Sequence, residues 1–281
     1  MKKKIKIIVA CHKDSDSIRH DDIYMPVQVG KTLHPEVNLG FQADDEGDNI
    51  SNKNKSFCEL TAIYWAWKNL KDVDYIGLCH YRRYFNFSKS NILPYTEISD
   101  DNFSNIDLNN AELSNIISKN KIILAKPIIY PMSLFDRYSL FHISDDFRTL
   151  LDIIDEFDAD NSLQIRNYLL SNNKFSAYNM FIMPWKEFDE YCSWLFPILF
   201  EAEKRININN YNDVQKRIFG YLAERLLNAY VYCKKMNVSL YPIYYVKDEP
   251  HKVSPVRWII NNLRCAIIHK LLYSTSNNRE R

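Results

Sequence analysis

The stretch "DYIGLCHYRRYF" (residues 74–85) runs from a short apolar segment straight into a histidine, a tyrosine and two adjacent arginines. A brief, continuous apolar run bounded by polar residues reads as a strand buried on both faces. Comparable runs recur at 5–10 ("IKIIVA"), 121–126 ("KIILAK"), 179–183 ("NMFIM") and 240–246 ("LYPIYYV"). Between them, residues 57–70, 145–156, 163–171, 187–204 and 212–235 carry helical spacing. Alternating strands and helices predict an α/β fold, a mainly parallel sheet flanked by helices. Ligands of such sheets gather at the strands' carboxyl ends. His12 and Lys13 stand at one such end; His80, Tyr81, Arg82 and Arg83 stand at another. Segment 86–120, rich in Asn, Ser and Asp, reads as a loop with a short helix, and 205–212 as a second loop.

Composition excludes several classes. The 281 residues are 46% apolar with only five glycines, which argues against repeats, disorder and propellers. A net charge of +1 gives no drive toward nucleic acid, although residues 252–281 hold six Lys or Arg against one Glu. The six cysteines show no metal or CxxC spacing and read as free thiols of a reducing, cytoplasmic protein. The start "MKKKIKIIVACHK" imitates a secretory signal, but its apolar run is too short for one, and no stretch is long enough to span a membrane.

Glycine-poor sequence also makes a backbone phosphate cradle improbable, so side chains must neutralise any phosphorylated ligand. Arg82 and Arg83 suit that task, because guanidinium groups bind phosphate bidentately and stay charged; His80 would add a donor. The plainer alternative is a pair of arginines bridging surface carboxylates. In an extended segment neighbours point opposite ways, so one arginine is expected to face a ligand. Asn49, Ser51, Lys53 and Asn54 crowd a helix N-terminus, which favours anions. Ser56 and Glu59 have capping-box spacing, which gives Glu59 a structural reading. Asp145 and Asp146 near a helix start are candidate bases or simple dipole partners. Asp213 sits in the first turn expected after Asn212, which is spaced with Gln215 as a capping box. Arg217 and Glu224 share a helix face, while Glu224 and Arg225 could equally be solvated.

Residues 253–274 repeat apolar residues at helical spacing (Val256, Ile259, Ile260, Leu263, Ile267, Leu271), with Trp258 near the start and Arg257, Arg264 and Lys270 interspersed. This C-terminal amphipathic helix would lie in a membrane interface or pack on the core.

The strings "NISNKNKSFCELTAIYWAWKN", "DYIGLCHYRRYF", "NMFIM…FDEYCSWLFPILFE" and "QKRIFGYLAERLL" resemble a family of bacterial glycosyltransferase domains found in capsule and O-antigen gene clusters and long labelled a domain of unknown function. The similarity runs in order from about residue 5 to 245. It implies a variant GT-A fold over residues 1–250; the basic tail at 251–281 lies beyond the resemblance. It also implies a galactofuranosyltransferase-like activity that moves a hexose from a UDP-sugar to a surface polysaccharide or polyprenyl-linked acceptor.

On this resemblance "HYRR" occupies the place of the metal-binding Asp-x-Asp motif of ordinary GT-A enzymes. Asp72–Asp74 has the right letters at the wrong end of the strand, and Asp14–Asp16 and Asp158–Asp160 do not match in position. A metal-independent enzyme without cofactors is therefore expected, with arginine charge stabilising the departing UDP. Donor contacts fall to His12, Lys13, Asn49, Ser51, Lys53, Asn54, Glu59, His80, Tyr81, Arg82 and Arg83. Acceptor contacts fall to His142, Asn179 and Arg217. The base is one of Asp213, Glu224, Asp145 and Asp146. The tail would hold the enzyme peripherally on the inner face of the cell membrane. A non-catalytic sugar-nucleotide or glycan-binding subunit is the alternative; transfer of a phosphosugar is a third reading.

Overall fold

The structure, a computed structural model, describes residues 3–88, 92–106, 110–119 and 122–274. Of the segments read above, residues 1–2, 89–91, 107–109, 120–121 and 275–281 lie outside the described residues. Strand β1 (Ile5–Cys11) pairs in parallel with β2 (Tyr24–Gln28), and β2 with β3 (Gln42–Ala43). Helices α1 (Asn54–Phe57) and α2 (Leu60–Asn69) cross back to β4 (Tyr75–His80), parallel to β1 on its other side. The chain then passes through β5 (Arg83–Phe85), β6 (Tyr95–Ile98), α3 (Asp100–Ser104) and α4 (Asn110–Lys119) to β7 (Ile122–Ala125). β8 (Ile128–Ile129) is followed by α5 (Leu134–Ser139), α6 (Ser144–Phe157) and α7 (Ala159–Ser171), then by β9 (Lys174–Phe175), its partner in a separate ribbon. Strand β10 (Phe181–Pro184), helices α8 (Trp185–Arg205) and α9 (Ile218–Cys233), strands β11 (Val238–Tyr241) and β12 (Ile243–Val246), and helix α10 (Pro255–Ser274) complete the fold.

The main path of the sheet runs β11-β7-β10-β4-β1-β2-β3, with β10 antiparallel to both its neighbours. β12 sits between β5 and β6 as an offshoot. Side-chain alternation along β1 divides the core: Ile8 and Ala10 face the cluster built with α2, α8 and α9, whereas Ile7, Val9 and Cys11 face Phe103, Leu113 and Ile117 of α3 and α4. A sheet covered on both faces explains why its central strands read as unbroken apolar runs.

Several boundaries differ from expectation for local reasons. The run 240–246 is two strands, because Pro242 has no N–H for a ladder; β11 joins β7 and β12 turns to β5 and β6. Helix 57–70 is interrupted at Cys58, whose φ of 52° is left-handed. The capping box fails with it: Ser56 donates its hydroxyl to the Lys53 carbonyl (3.2 Å), and Glu59 makes no side-chain cap. Asp213 is not in the first turn of a helix, since α9 begins only at Ile218 after a single tight turn at 215–217. Asn212 does accept from the Gln215 N–H (2.9 Å), while the Gln215 side chain turns to His142 and the Phe141 carbonyl instead of back to Asn212. Segment 86–120 holds a strand and two helices among its described residues. All six cysteines are free.

Candidate active site

The "HYRR" segment is a hairpin. Tyr81 and Arg82 form its turn, and His80 pairs directly with Arg83 across it. Directly opposed residues of an antiparallel pair project to one face, so His80 and Arg83 both line a cleft of about 920 Å³ at the carboxyl end of the sheet. Arg82, at the tip, pairs with Asp248 (3.1 Å) and is not among the residues that line the cleft.

Tyr178 organises the floor. It and Asn179 have φ of 73° and 51°, so the chain bends sharply just before β10. The Tyr178 N–H donates to Glu224 Oε1 (2.7 Å), and its carbonyl lies 2.7 Å from His80 Nε2. A carbonyl only accepts, so His80 Nε2 carries the proton. The Tyr178 ring lies under Arg83, 4.4 Å from the guanidinium carbon, and Tyr245 of β12 flanks the same group at 4.7 Å while Arg83 Nη2 donates to its hydroxyl (2.9 Å). The Arg83 Nε is shielded from solvent and makes no hydrogen bond among the described residues. The Nε atoms of Arg82 and Arg225 are in the same state, so this feature alone does not single out Arg83.

Acidic groups are placed in two different ways. Glu224 is nearly buried and also accepts from Arg225 Nη1 (2.9 Å). Burial foremost, with the neighbouring Glu59 adding, raises its pKa above the usual glutamate value, although Arg225 and the Tyr178 N–H oppose that shift. Arg225 itself is buried against Phe175 (4.7 Å), so this pair is internal and not solvated. Asp213 lines the outer cleft in an exposed position. Asn179 is buried and holds Glu59 through Nδ2 (2.7 Å); it supports the site from behind and does not line it.

Among the remaining expected residues, His12, Tyr81, Asn54, Glu59, His142 and Arg217 line the cleft. His142 packs on Tyr221 at 4.2 Å between ring centroids and hydrogen-bonds Gln215 (3.2 Å). Burial lowers the pKa values of His12, His80 and His142, which favours neutral imidazoles. Asn49, Ser51 and Lys53 serve local structure instead. Asn49 donates to the Asp45 and Gly47 carbonyls (both 2.9 Å), Ser51 donates to the buried Asp44 (2.5 Å), and Lys53 pairs with Glu203 (2.7 Å). Lys13 is exposed beyond the rim. Asp145 pairs with Arg148 (2.6 Å) and Asp146 accepts from the Tyr211 hydroxyl (2.8 Å), both away from the cleft. Asp74 accepts from the Lys4 N–H (2.8 Å) at the opposite end of β4. Among the described residues no cluster of three or more His, Cys, Asp or Glu is disposed to hold a metal ion.

Sequence reasoning missed Tyr178, Tyr245, Tyr221 and Cys58. Their aromatic or apolar character matched core positions, and nothing local set them apart. Cys58 lines the cleft against Arg217 Nε (3.4 Å), but burial foremost, with Glu59, pushes its thiol up to about 12, so it is no nucleophile at neutral pH.

The strand order, the reversed β10 and the carboxyl-edge cleft define a GT-A-like α/β fold. The solved apo structure of WbbM, a bifunctional glycosyltransferase, is similar to this chain with a TM-score of 0.77 at 29% identity, over 90% of this chain and 48% of that one. The chain thus spans about half the length of the structure it matches. Residues 6–235 match the family described as a domain of unknown function, DUF4422, and the chain belongs to that family. No curated protein matches it in sequence.

Proposed function

We propose that this protein is a glycosyltransferase that moves a hexose, galactofuranose foremost, from a UDP-sugar to a surface-polysaccharide or polyprenyl-linked glycan. The observation that carries this reading is the aromatic-flanked Arg83 at the carboxyl end of β4, opposite Glu224 across the Tyr178 backbone. Arg83 takes the diphosphate, with His12 and Asn54 on the nucleotide side and His142, Tyr221 and Arg217 toward the acceptor.

In the reaction, the bond from the anomeric carbon to the UDP oxygen breaks and a bond to the acceptor oxygen forms. The acceptor proton passes to a carboxylate, and negative charge collects on the leaving diphosphate. Glu224 is the base we favour, because a burial-raised pKa brings its basicity toward working pH; Asp213 is the other base candidate from the sequence that lines the cleft. Fixed cationic donors aimed where charge develops stabilise such a transition state, so a divalent ion is not required.

A screen of UDP-sugars by UDP release tests the proposal. Turnover with one donor and a glycan acceptor is expected. Donor binding without turnover for any donor and acceptor would instead indicate a binding subunit, and release of UMP would indicate phosphosugar transfer.

A further inference from the structure

Helix α10 is built with an apolar stripe on its outer side. Its inner face packs on the body: Trp258 lies 5.8 Å from Lys126 Nζ, Cys265 is buried, His269 Nε2 meets the Ser171 carbonyl (2.7 Å), and the Tyr273 hydroxyl contacts Asp136 and accepts from the Ser133 N–H (2.9 Å). On the opposite face Val256, Ile260, Leu263 and Ile267 follow one another at helical spacing, and each is 60–66% exposed. An ordinary surface helix would place polar residues there, and a contiguous exposed patch of large aliphatic side chains marks an interaction surface.

Charge selects the partner. Arg257, Arg264 and Lys270 are exposed along the stripe's borders and make no ion pair among the described residues. Pro255–Ser274 contains no Asp or Glu. A second copy joined through this stripe would oppose like charges with no acid on the helix to compensate them, whereas an anionic lipid surface complements both features. No helix among the described residues is long and apolar enough to cross a membrane, so the helix would lie along the surface.

We infer that α10 lies in the interface of an anionic bilayer, its aliphatic stripe at the acyl boundary and its three cations on the headgroups. Its anchor at Ser133 and Asp136 is close in sequence to Ile128 and Tyr130, which line the cleft. Helix α10 also packs on β8, whose Ile128 lines the cleft, so docking sets β8 against the membrane-bound helix. The benefit to a lipid-linked acceptor rests on the transferase reading; the docking itself does not.

The test is co-sedimentation of the full chain with vesicles of phosphatidylcholine, alone or mixed with phosphatidylglycerol. Selective binding to the mixed vesicles is expected. Ile260→Glu combined with Ile267→Glu should lose about tenfold or more in binding, as should neutralising Arg257, Arg264 and Lys270 together to Ala. Both variants should keep the wild-type melting temperature and the rate of UDP release with a water-soluble acceptor. Absence of UDP release in every variant would sink the transferase reading while leaving the vesicle result intact. Binding unaffected by these changes overturns the inference. So does a failure to bind together with a two-copy mass that Ile260→Glu returns to one.

Discussion

Arg83 rests with its guanidinium carbon 4.4 Å from the ring centre of Tyr178, a residue whose backbone is left-handed at φ 73°. The bend that presents this ring also aims the Tyr178 N–H at Glu224 and its carbonyl at His80. One sparsely populated backbone conformation thus sets the cation, the carboxylate and the imidazole relative to one another. Such conformations cost ~1–3 kcal/mol each and persist where the surrounding structure over-determines them.

If Arg83 neutralises the leaving diphosphate, Arg83→Ala should lower the rate of UDP release by ~100–1,000-fold. Arg83→Lys should restore only part of it, since an ammonium keeps the charge but neither the planar group that contacts Tyr178 and Tyr245 nor the fork. Arg82→Ala removes an outward pair with Asp248 and should cost less than about fivefold.

The carboxyl group of Glu224 is held above its ordinary pKa by burial. A base must be deprotonated, so activity should fall on acidification at a pH higher than an exposed glutamate would give. A pH–rate profile of UDP release checks this; Glu224→Gln should abolish turnover while leaving donor affinity within about threefold. Loss of turnover in Asp213→Asn instead, with Glu224→Gln active, would move the role to Asp213.

If Arg83 supplies the positive charge that the departing diphosphate needs, full activity is expected in excess EDTA. Loss of UDP release on chelation, restored by manganese, would reverse that assignment.

Cys58 occupies φ 52°, ψ −130°, a conformation costly for any side chain with a Cβ. Cys58→Gly should therefore be more stable than Cys58→Ala by about 1 kcal/mol, the reverse of the usual helical order. Urea denaturation of the two variants compares them directly.

His12, His80 and His142 all have pKa values lowered by burial. Between those lowered values and the ordinary imidazole range the unfolded chain binds more protons than the folded one, so stability should fall as pH drops through that window. Urea midpoints at about pH 7.5 and about pH 5.5 should show this loss. His142→Phe, which keeps a ring against Tyr221, should make the dependence shallower.

Legibility followed the range of the interactions. Central strands such as "IKIIVA" and "YIGLC" were plain because burial on both faces demands uninterrupted apolar residues, and the placement of His80 and Arg83 at a sheet edge followed from where that apolarity stops. The helix N-terminal cluster was not legible: Asn49, Ser51 and Lys53 have ligand-like chemistry, yet they lie outside the cleft lining and are held by nearby carbonyls, Asp44 and the distant Glu203. A missing N–H at Pro242 and left-handed backbone at Cys58 and Tyr178 displaced boundaries, because one such residue outweighs a run of favourable propensities.

The fold class, the chemistry available at the end of β4 and the apolar stripe of α10 are local properties of the chain, set by side-chain period and composition. Which arginine turns inward, which carboxylate is stripped of water and which tyrosine cradles the cation depend on contacts between residues about 50 to 160 positions apart. Those were decided only when hairpin pairing and burial brought β4, β5, β12 and α9 around one cleft.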